Sequence, residues 1–128
     1  MSLKRINFTS IPVDDQDRAI AFYRDTLGFA LQVDAPYEDG WRWVFLTVPG
    51  HDTRLQFARR SELEVARDRP CLALVVEDVD GYCDCLREAG VEITAGPDAA
   101  PWAAPGVRYA TIRDSEGNIL LLESMGAP

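Results

Sequence analysis

Apolar and polar residues recur along the chain in a pattern that predicts one series of elements twice. The first series begins with a strand at residues 4–13. An amphipathic helix follows at residues 16–27, with its N-cap at Asp14 or Asp15 and its end at Gly28. Alternating segments then predict three more strands, separated by turns at residues 35–40 and 49–52. These strands are expected at residues 29–34, 41–48 and 53–58.

The same order restarts after a charged connection at residues 59–70. A strand is predicted at 71–76, a helix at 79–89 ending at Gly90, and the start of a strand at 91–94. A Pro- and Ala-rich loop at residues 95–105 leads to a hairpin whose strands cover 107–113 and 119–123. The helices of the two series overlay at a spacing of 62 or 63 residues. We therefore expect a single α+β domain made of two βαβββ modules, residues 1–63 and 64–128.

Composition narrows the class of protein. A chain of 128 residues with 47% hydrophobic and 27% charged residues is typical of one folded globular domain. The formal net charge of −8, without a basic cluster, argues against nucleic acid as a partner. The absence of a long apolar run predicts no membrane span, and the start of the chain predicts a cytoplasmic protein. Cys71, Cys83 and Cys85 are expected to be reduced thiols.

Several short motifs, in this order and at these distances, are characteristic of one superfamily. They are Val13-Asp14-Asp15, AIAFY at 19–23, Leu27-Gly28-Phe29, a helix ending in LREAG at 86–90, and DSEGN at 114–118 leading into ILLLE. Together they resemble the vicinal oxygen chelate superfamily, also called the glyoxalase, bleomycin resistance and extradiol dioxygenase superfamily. The resemblance implies curved mixed sheets with helices on the outer face, a concave small-molecule site, and a homodimer.

The resemblance also implies where a metal would bind. Metal-dependent members use side chains from four strands to hold a divalent ion that acts as a Lewis acid. The corresponding positions here are Phe8, Gln56, Cys71 and Leu121. Phe8 and Leu121 have no donor atom, so we expect neither a divalent metal nor another cofactor. Two alternatives use Glu123, either in a shifted metal site with Gln56 and Cys71 or as a metal-free acid–base catalyst.

The strand positions predict which side chains face a ligand. Period-two alternation puts Ser10, Ala58, Ala73, Ile119 and Glu123 on the same faces as the four family positions. Trp102 lies in the Pro- and Ala-rich loop, where it forms a lid, a dimer contact or a surface contact. Arg113 is a candidate to bind a ligand carboxylate or to form a salt bridge at the rim of the site. His51, the one histidine, is predicted in a turn, so the sequence gives no support for a catalytic triad. The predicted ligand-binding residues are Phe8, Ser10, Trp41, Trp43, Phe45, Gln56, Cys71, Trp102, Tyr109, Leu121 and Glu123.

These observations predict a small-molecule-binding member of the superfamily. Aromatic side chains on the third strand and an apolar set at the metal positions favour a small apolar or aromatic ligand, held in a concave pocket without a metal. The alternative is a lyase, isomerase or dioxygenase-like enzyme that uses the shifted metal site or Glu123. A third hypothesis is an interaction module whose cavity has filled.

Overall fold

The computed structural model describes residues 1–126, and they form two compact units with the boundary between Val65 and Ala66. Each unit contains one four-stranded mixed sheet and one short helical segment. The α+β class with two βαβββ modules is therefore confirmed. No helix formed by residues 1–126 is long and apolar enough to cross a membrane.

The first unit is built on a sheet in the order β1-β4-β3-β2. Strand β1 pairs in parallel with β4, and the other two pairs are antiparallel. The helix α1 continues directly into a π-helical turn, Phe22–Thr26. The elements are β1 Phe8–Val13, α1 Gln16–Ala21, β2 Ala30–Glu38, β3 Trp41–Thr47 and β4 Arg54–Arg59.

One face of this sheet forms the core of the first unit. Tyr23 contacts the rings of Phe29 and Phe57, with centroids 5.5 and 5.6 Å apart. The Gln16 side chain fixes α1 to β3, because its amide donates to the Arg42 carbonyl and accepts from the Arg42 N–H. The sheet contributes the buried apolar side chains Ile11, Val13, Val44, Leu46, Leu55 and Phe57 to this core, and the helical segment contributes Ala19, Ile20 and Tyr23.

The second unit repeats the first in its order of elements. Its sheet runs β5-β8-β7-β6, with β5 parallel to β8 and the other pairs antiparallel. Apolar residues of α2 and of one sheet face form its core, including Val79, Leu86, Ile112, Leu120 and Leu122. The elements are β5 Pro70–Val75, α2 Val79–Glu88, β6 Ile93–Ala99, β7 Arg108–Arg113 and β8 Ile119–Ser124.

Four predicted boundaries were wrong. Strand β1 begins at Phe8 and not at residue 4, because its partner β4 begins at Arg54. Strand β2 extends through Glu38, across the turn predicted at residues 35–40, since β3 continues to pair with it. Strand β6 extends to Ala99, across part of the predicted loop, by pairing with β7. The helix expected at residues 16–27 is α-helical only to Ala21.

The turn between β7 and β8 is organised by one buried carboxylate. The Asp114 Oδ1 atom accepts from the backbone N–H groups of Glu116 and Asn118, both at 2.8 Å. Its Oδ2 atom accepts from the Asn118 side-chain amide at 3.0 Å. These bonds satisfy backbone donors that the tight turn removes from water, which explains the D-x-x-G-N pattern.

Asp114→Asn is therefore expected to lower the free energy of unfolding by about 1–3 kcal/mol. The new amide supplies one acceptor oxygen, but its NH₂ group then faces the NH₂ group of Asn118. Urea denaturation measures the effect, with Asp84→Asn on the exposed face of α2 as a control expected to change stability by less than about 0.5 kcal/mol. Equal effects of the two substitutions would contradict this role for Asp114.

Gly96 lies where β6 bulges against β7. Its φ of +74° resembles the φ of +73° at Gly40, but a Cβ atom at Gly96 would lie 2.5 Å from the carbonyl oxygen of Tyr109. At Gly40 no atom lies within 4 Å of the same position. The sheet therefore requires glycine at residue 96 for space as well as for backbone conformation.

Gly40→Ala and Gly96→Ala form a matched pair that separates these two causes. Gly40→Ala is expected to cost about 1–2 kcal/mol, the penalty for a left-handed alanine. Gly96→Ala is expected to cost about 1–3 kcal/mol more, because the neighbouring backbone must shift. Thermal or urea unfolding gives both values, and a Gly96→Ala protein as stable as Gly40→Ala would show that the bulge relaxes freely.

Candidate functional site

The sheet face of the first unit that points away from its core carries a contiguous group of aromatic rings. We call this group the aromatic surface, and it consists of Phe8, Tyr37, Trp43 and Phe45. The strand register explains it, because Val33 pairs with Phe45 and Ala35 pairs with Trp43. Small side chains on β2 thus leave room for the large ones on β3.

The rings of the aromatic surface contact one another in series. Tyr37 lies against Trp43 with centroids 4.6 Å apart and planes at 31°. Trp43 meets Phe45 edge to face at 5.3 Å, and Phe45 meets Phe8 edge to face at 5.4 Å. Phe45 is buried, whereas Tyr37 is 59% and Phe8 39% exposed. The surface therefore has a fixed base and accessible outer rings.

A polar pair borders the aromatic surface. Gln56 is the register partner of both Ser10 and Phe45, so it lies between them in the sheet. The Ser10 hydroxyl donates to the Gln56 Oε1 atom at 2.6 Å. This bond fixes the orientation of the Gln56 side chain and directs its NH₂ group away from Ser10.

Trp41, two residues before Trp43 on the same strand, makes a different contact from the rings of the aromatic surface. The guanidinium of Arg59 lies over its ring, 5.3 Å from the centroid, and Arg59 also pairs with Glu38 at 3.3 Å. Trp41 is therefore engaged in a cation–π contact at the end of β3.

The second unit brings together a different set of predicted residues. Tyr109 and Glu123 are register partners on β7 and β8. Trp102 contacts the Tyr109 ring at 4.7 Å and donates from Nε1 to the Glu123 Oε2 atom at 3.3 Å. Trp102 remains 57% exposed, so this loop side chain is fixed at its polar edge while much of its ring faces solvent.

Leu121 and Cys71 lie further along the second sheet. Leu121 pairs with Ala73 on one side, which forms an aliphatic stretch, and with Thr111 on the other, whose hydroxyl is hydrogen-bonded to Thr94 at 2.7 Å. The structure contains no disulfide at Cys71, Cys83 or Cys85. Cys83 is buried on α2, and burial raises the pKa of its thiol, so it is a poor nucleophile. Arg113 pairs with Glu92 at 3.3 Å, which agrees with a salt bridge.

Two residues of the first unit were missed as site residues in the sequence. Tyr37 was placed in a turn because Pro36 precedes it, yet both residues lie in β2. Arg54 shares its face of β4 with Gln56, and its guanidinium lies 4.1 Å from the centroid of the Phe45 ring. Alternation along β4 carried that signal, since residues two apart on a strand point to the same side.

Comparison with known proteins identifies the family. Residues 5–122 match the model of the Glyoxalase/Bleomycin resistance protein/Dioxygenase superfamily. The chain belongs to this superfamily. The chain is also similar to YetH, an uncharacterized protein of Bacillus subtilis (strain 168), with 24% identity over 122 residues, or 94% of this chain and 98% of YetH.

Two solved structures from Streptomyces sp. CB03234 have closely similar folds. One is TnmS3, an antibiotic binding protein, at 33% identity and a TM-score of 0.81, covering 97% of this chain and 98% of that chain. The other is a glyoxalase/bleomycin resistance protein, at 35% identity and a TM-score of 0.73, covering 92% and 98%.

The residues predicted at the metal positions of the superfamily offer few donor atoms for a divalent ion. Phe8 and Leu121 offer no donor, and Gln56 offers only one amide oxygen, which already accepts from Ser10. Throughout residues 1–126, no three His, Cys, Asp or Glu side chains lie close enough to hold a metal together.

The strand register also argues against the shifted metal site that includes Cys71 and Glu123. Glu123 pairs with Val75, four residues along β5 from Cys71. At about 3.3 Å per residue, Cys71 and Glu123 are separated by about 13 Å along the strand. Both side chains would have to bridge this backbone separation to share one ion, since metal–ligand bonds themselves are only about 2.0–2.3 Å long.

Proposed function

We propose that this superfamily member binds a small aromatic or apolar molecule on the aromatic surface of its first unit, without a divalent ion. The observation that carries the proposal is the series of ring contacts from Tyr37 through Trp43 and Phe45 to Phe8. These rings lie on the sheet face that α1 leaves uncovered.

The exposure of the outer rings supports binding more than simple core packing. A core aromatic loses nearly all its contact with water, yet Tyr37 and Phe8 keep 59% and 39% of theirs. A planar ligand laid against these rings gains apolar burial together with aromatic pair contacts of about 0.5–1.5 kcal/mol each. Trp43 contributes most in this arrangement, because it contacts rings on both sides.

The polar pair beside the rings supplies orientation. With its Oε1 atom engaged by Ser10, Gln56 presents its NH₂ group as a donor next to Phe45. Apolar pockets with a small number of fixed polar groups are typical of small-molecule sites. A carbonyl or hydroxyl oxygen on an aromatic ligand is the acceptor that such a donor selects.

The relatives support the same class of function. TnmS3 is an antibiotic binding protein, and it matches nearly the whole chain at 33% identity. We extend antibiotic binding to this chain as part of the proposal, with Trp102, Tyr109 and Glu123 as a second group of candidate ligand contacts. The predicted homodimer and cytoplasmic location stay predictions.

Trp43→Ala is expected to weaken ligand binding by at least about tenfold, which corresponds to about 1.4 kcal/mol. A panel of planar aromatic antibiotics would first be screened by thermal shift, since binding to the folded state raises its stability. Isothermal titration calorimetry then gives Kd for the wild type and the variants. Trp41→Ala serves as the comparison, because it removes a tryptophan of the same strand that lies outside the aromatic surface.

A threefold change or less is expected for Trp41→Ala. Equal losses in the two variants would show that the aromatic surface is not the site. The proposal fails if no compound of the panel raises the melting temperature of the wild type.

Metal independence has its own test. Protein purified without chelator is expected to carry clearly less than one equivalent of Mn, Fe, Ni or Zn, measured by plasma mass spectrometry. Ligand affinity is expected to be unchanged after dialysis against EDTA. One equivalent of metal that is lost in Glu123→Ala would overturn this part of the proposal and favour the enzyme alternative instead.

A further inference from the structure

A polar pocket lies beside the aromatic surface in the first unit. It has a volume of about 370 Å³ and is lined by Arg5, Gln32, His51, Asp52 and Arg54. All five lining residues are polar, and none was assigned to a site from the sequence. This volume is at the lower end of the range of about 300–1,000 Å³ for small-molecule sites, and it is ample for one charged substituent.

Arg54 connects the pocket to the aromatic surface. Its backbone N–H donates to the Asn7 carbonyl at 3.1 Å, which holds the start of β4 against the segment that carries Arg5. Its guanidinium lies over the Phe45 ring with 4.1 Å between the Cζ atom and the ring centroid. The positive charge therefore has a fixed position at the edge of the aromatic surface.

The hydrogen bonds of this guanidinium are incomplete. Its Nη2 atom donates to the Asn7 Oδ1 atom at 2.8 Å, and its Nη1 atom makes a long bond of 3.4 Å to the Gln32 Oε1 atom. The Nε atom is buried and has no hydrogen-bond partner within residues 1–126. Both partners are neutral amide oxygens, so the guanidinium is hydrogen-bonded without an ion pair.

An arginine without an ion-pair partner contrasts with other arginines of this chain, whose net charge is −8. Arg42 binds Asp34 and Asp17 at 2.8 and 2.7 Å, and Arg108 binds both oxygens of Asp80 at 2.7 and 2.9 Å. Arg108 thereby lowers the pKa of the Asp80 carboxyl. In the described part of the chain, neither Arg54 nor Arg5 forms an ion pair with a carboxylate.

We propose that the pocket binds a carboxylate substituent of the ligand, whose ring lies on the aromatic surface. This inference rests on the proposed function and names its ligand class, aromatic carboxylic acids. Arg54 donates to the carboxylate, and Arg5 adds a second positive charge. Asp52 reduces the formal charge of the lining to +1 with His51 neutral, which matches a monoanion better than a doubly charged phosphate.

The geometry limits the length of the ligand. Because the guanidinium lies 4.1 Å from the centroid of the Phe45 ring, the carboxylate must be attached to the ring system directly or through about one atom. A ligand of this kind places its ring and its charge on side chains that already contact each other, so binding requires little rearrangement.

The experiment compares two probes that differ in charge but hardly in shape, 2-naphthoate and 2-naphthamide. Calorimetric titration of the full chain is expected to give at least about tenfold tighter binding of the naphthoate, the size of one hydrogen bond to a charged group. Arg54→Gln is expected to bring the ratio of the two Kd values close to one. Arg87→Gln, which removes an exposed arginine of α2, is expected to leave the ratio unchanged.

Two further measurements keep the test decisive if Arg54→Gln does not fold. Arg5→Gln changes an exposed side chain and is expected to weaken naphthoate binding two- to threefold without affecting naphthamide. Raising NaCl from 50 to 500 mM is expected to weaken naphthoate binding by at least about two- to threefold, while naphthamide binding stays unchanged. Absence of both effects would overturn the inference.

The remaining outcomes distinguish the two proposals. Equal binding of both probes to the wild type, with loss of both in Trp43→Ala, would overturn the carboxylate pocket and leave the aromatic surface standing. Tight naphthoate binding that persists in Arg54→Gln would place the anion elsewhere and also overturn the inference. If neither probe binds, both the carboxylate pocket and naphthyl recognition by the aromatic surface are contradicted.

Discussion

The constraint on which the structure depends is that each sheet has a single helical segment to cover it. In the first unit, α1 and the π-helical turn bury Ile11, Phe57 and their neighbours on one face. The other face of the same strands is therefore free of that packing requirement. Its side chains can differ without disturbing the core, because alternation along a strand lets the two faces vary separately.

The two units use this freedom differently although their strand orders are the same. The first presents connected aromatic rings beside the pair formed by Ser10 and Gln56. The second presents an aliphatic stretch around Leu121 and a group in which Trp102 links Tyr109 and Glu123. The repeated backbone therefore does not imply a repeated chemistry, and each face must be assessed from its own side chains.

The parts of the structure that follow from local signals could be predicted from the sequence. The period-two pattern placed Trp43 and Phe45 on one face of β3, and the DSEGN motif marked the turn that Asp114 organises. The errors arose where distant partners decide the outcome. Pro36 and Pro97 both suggested loops, but pairing with β3 and β7 keeps these residues in strands. The polar pocket could not be predicted from the sequence, because Arg5, Gln32 and His51 are far apart in the chain and come together only in the folded unit.

Arg54 offers a physical alternative to the metal ion of the superfamily. Its register partner is Phe8, which the resemblance predicts at a metal-ligand position. A divalent ion provides concentrated positive charge for the oxygens of a substrate, and a fixed guanidinium provides a weaker, directional charge for one carboxylate. Such a group can orient an anionic aromatic ligand but polarises a bond far less than a metal does. The ring of Phe8 and the neighbouring arginine are therefore consistent with the ligand binding proposed for the first unit.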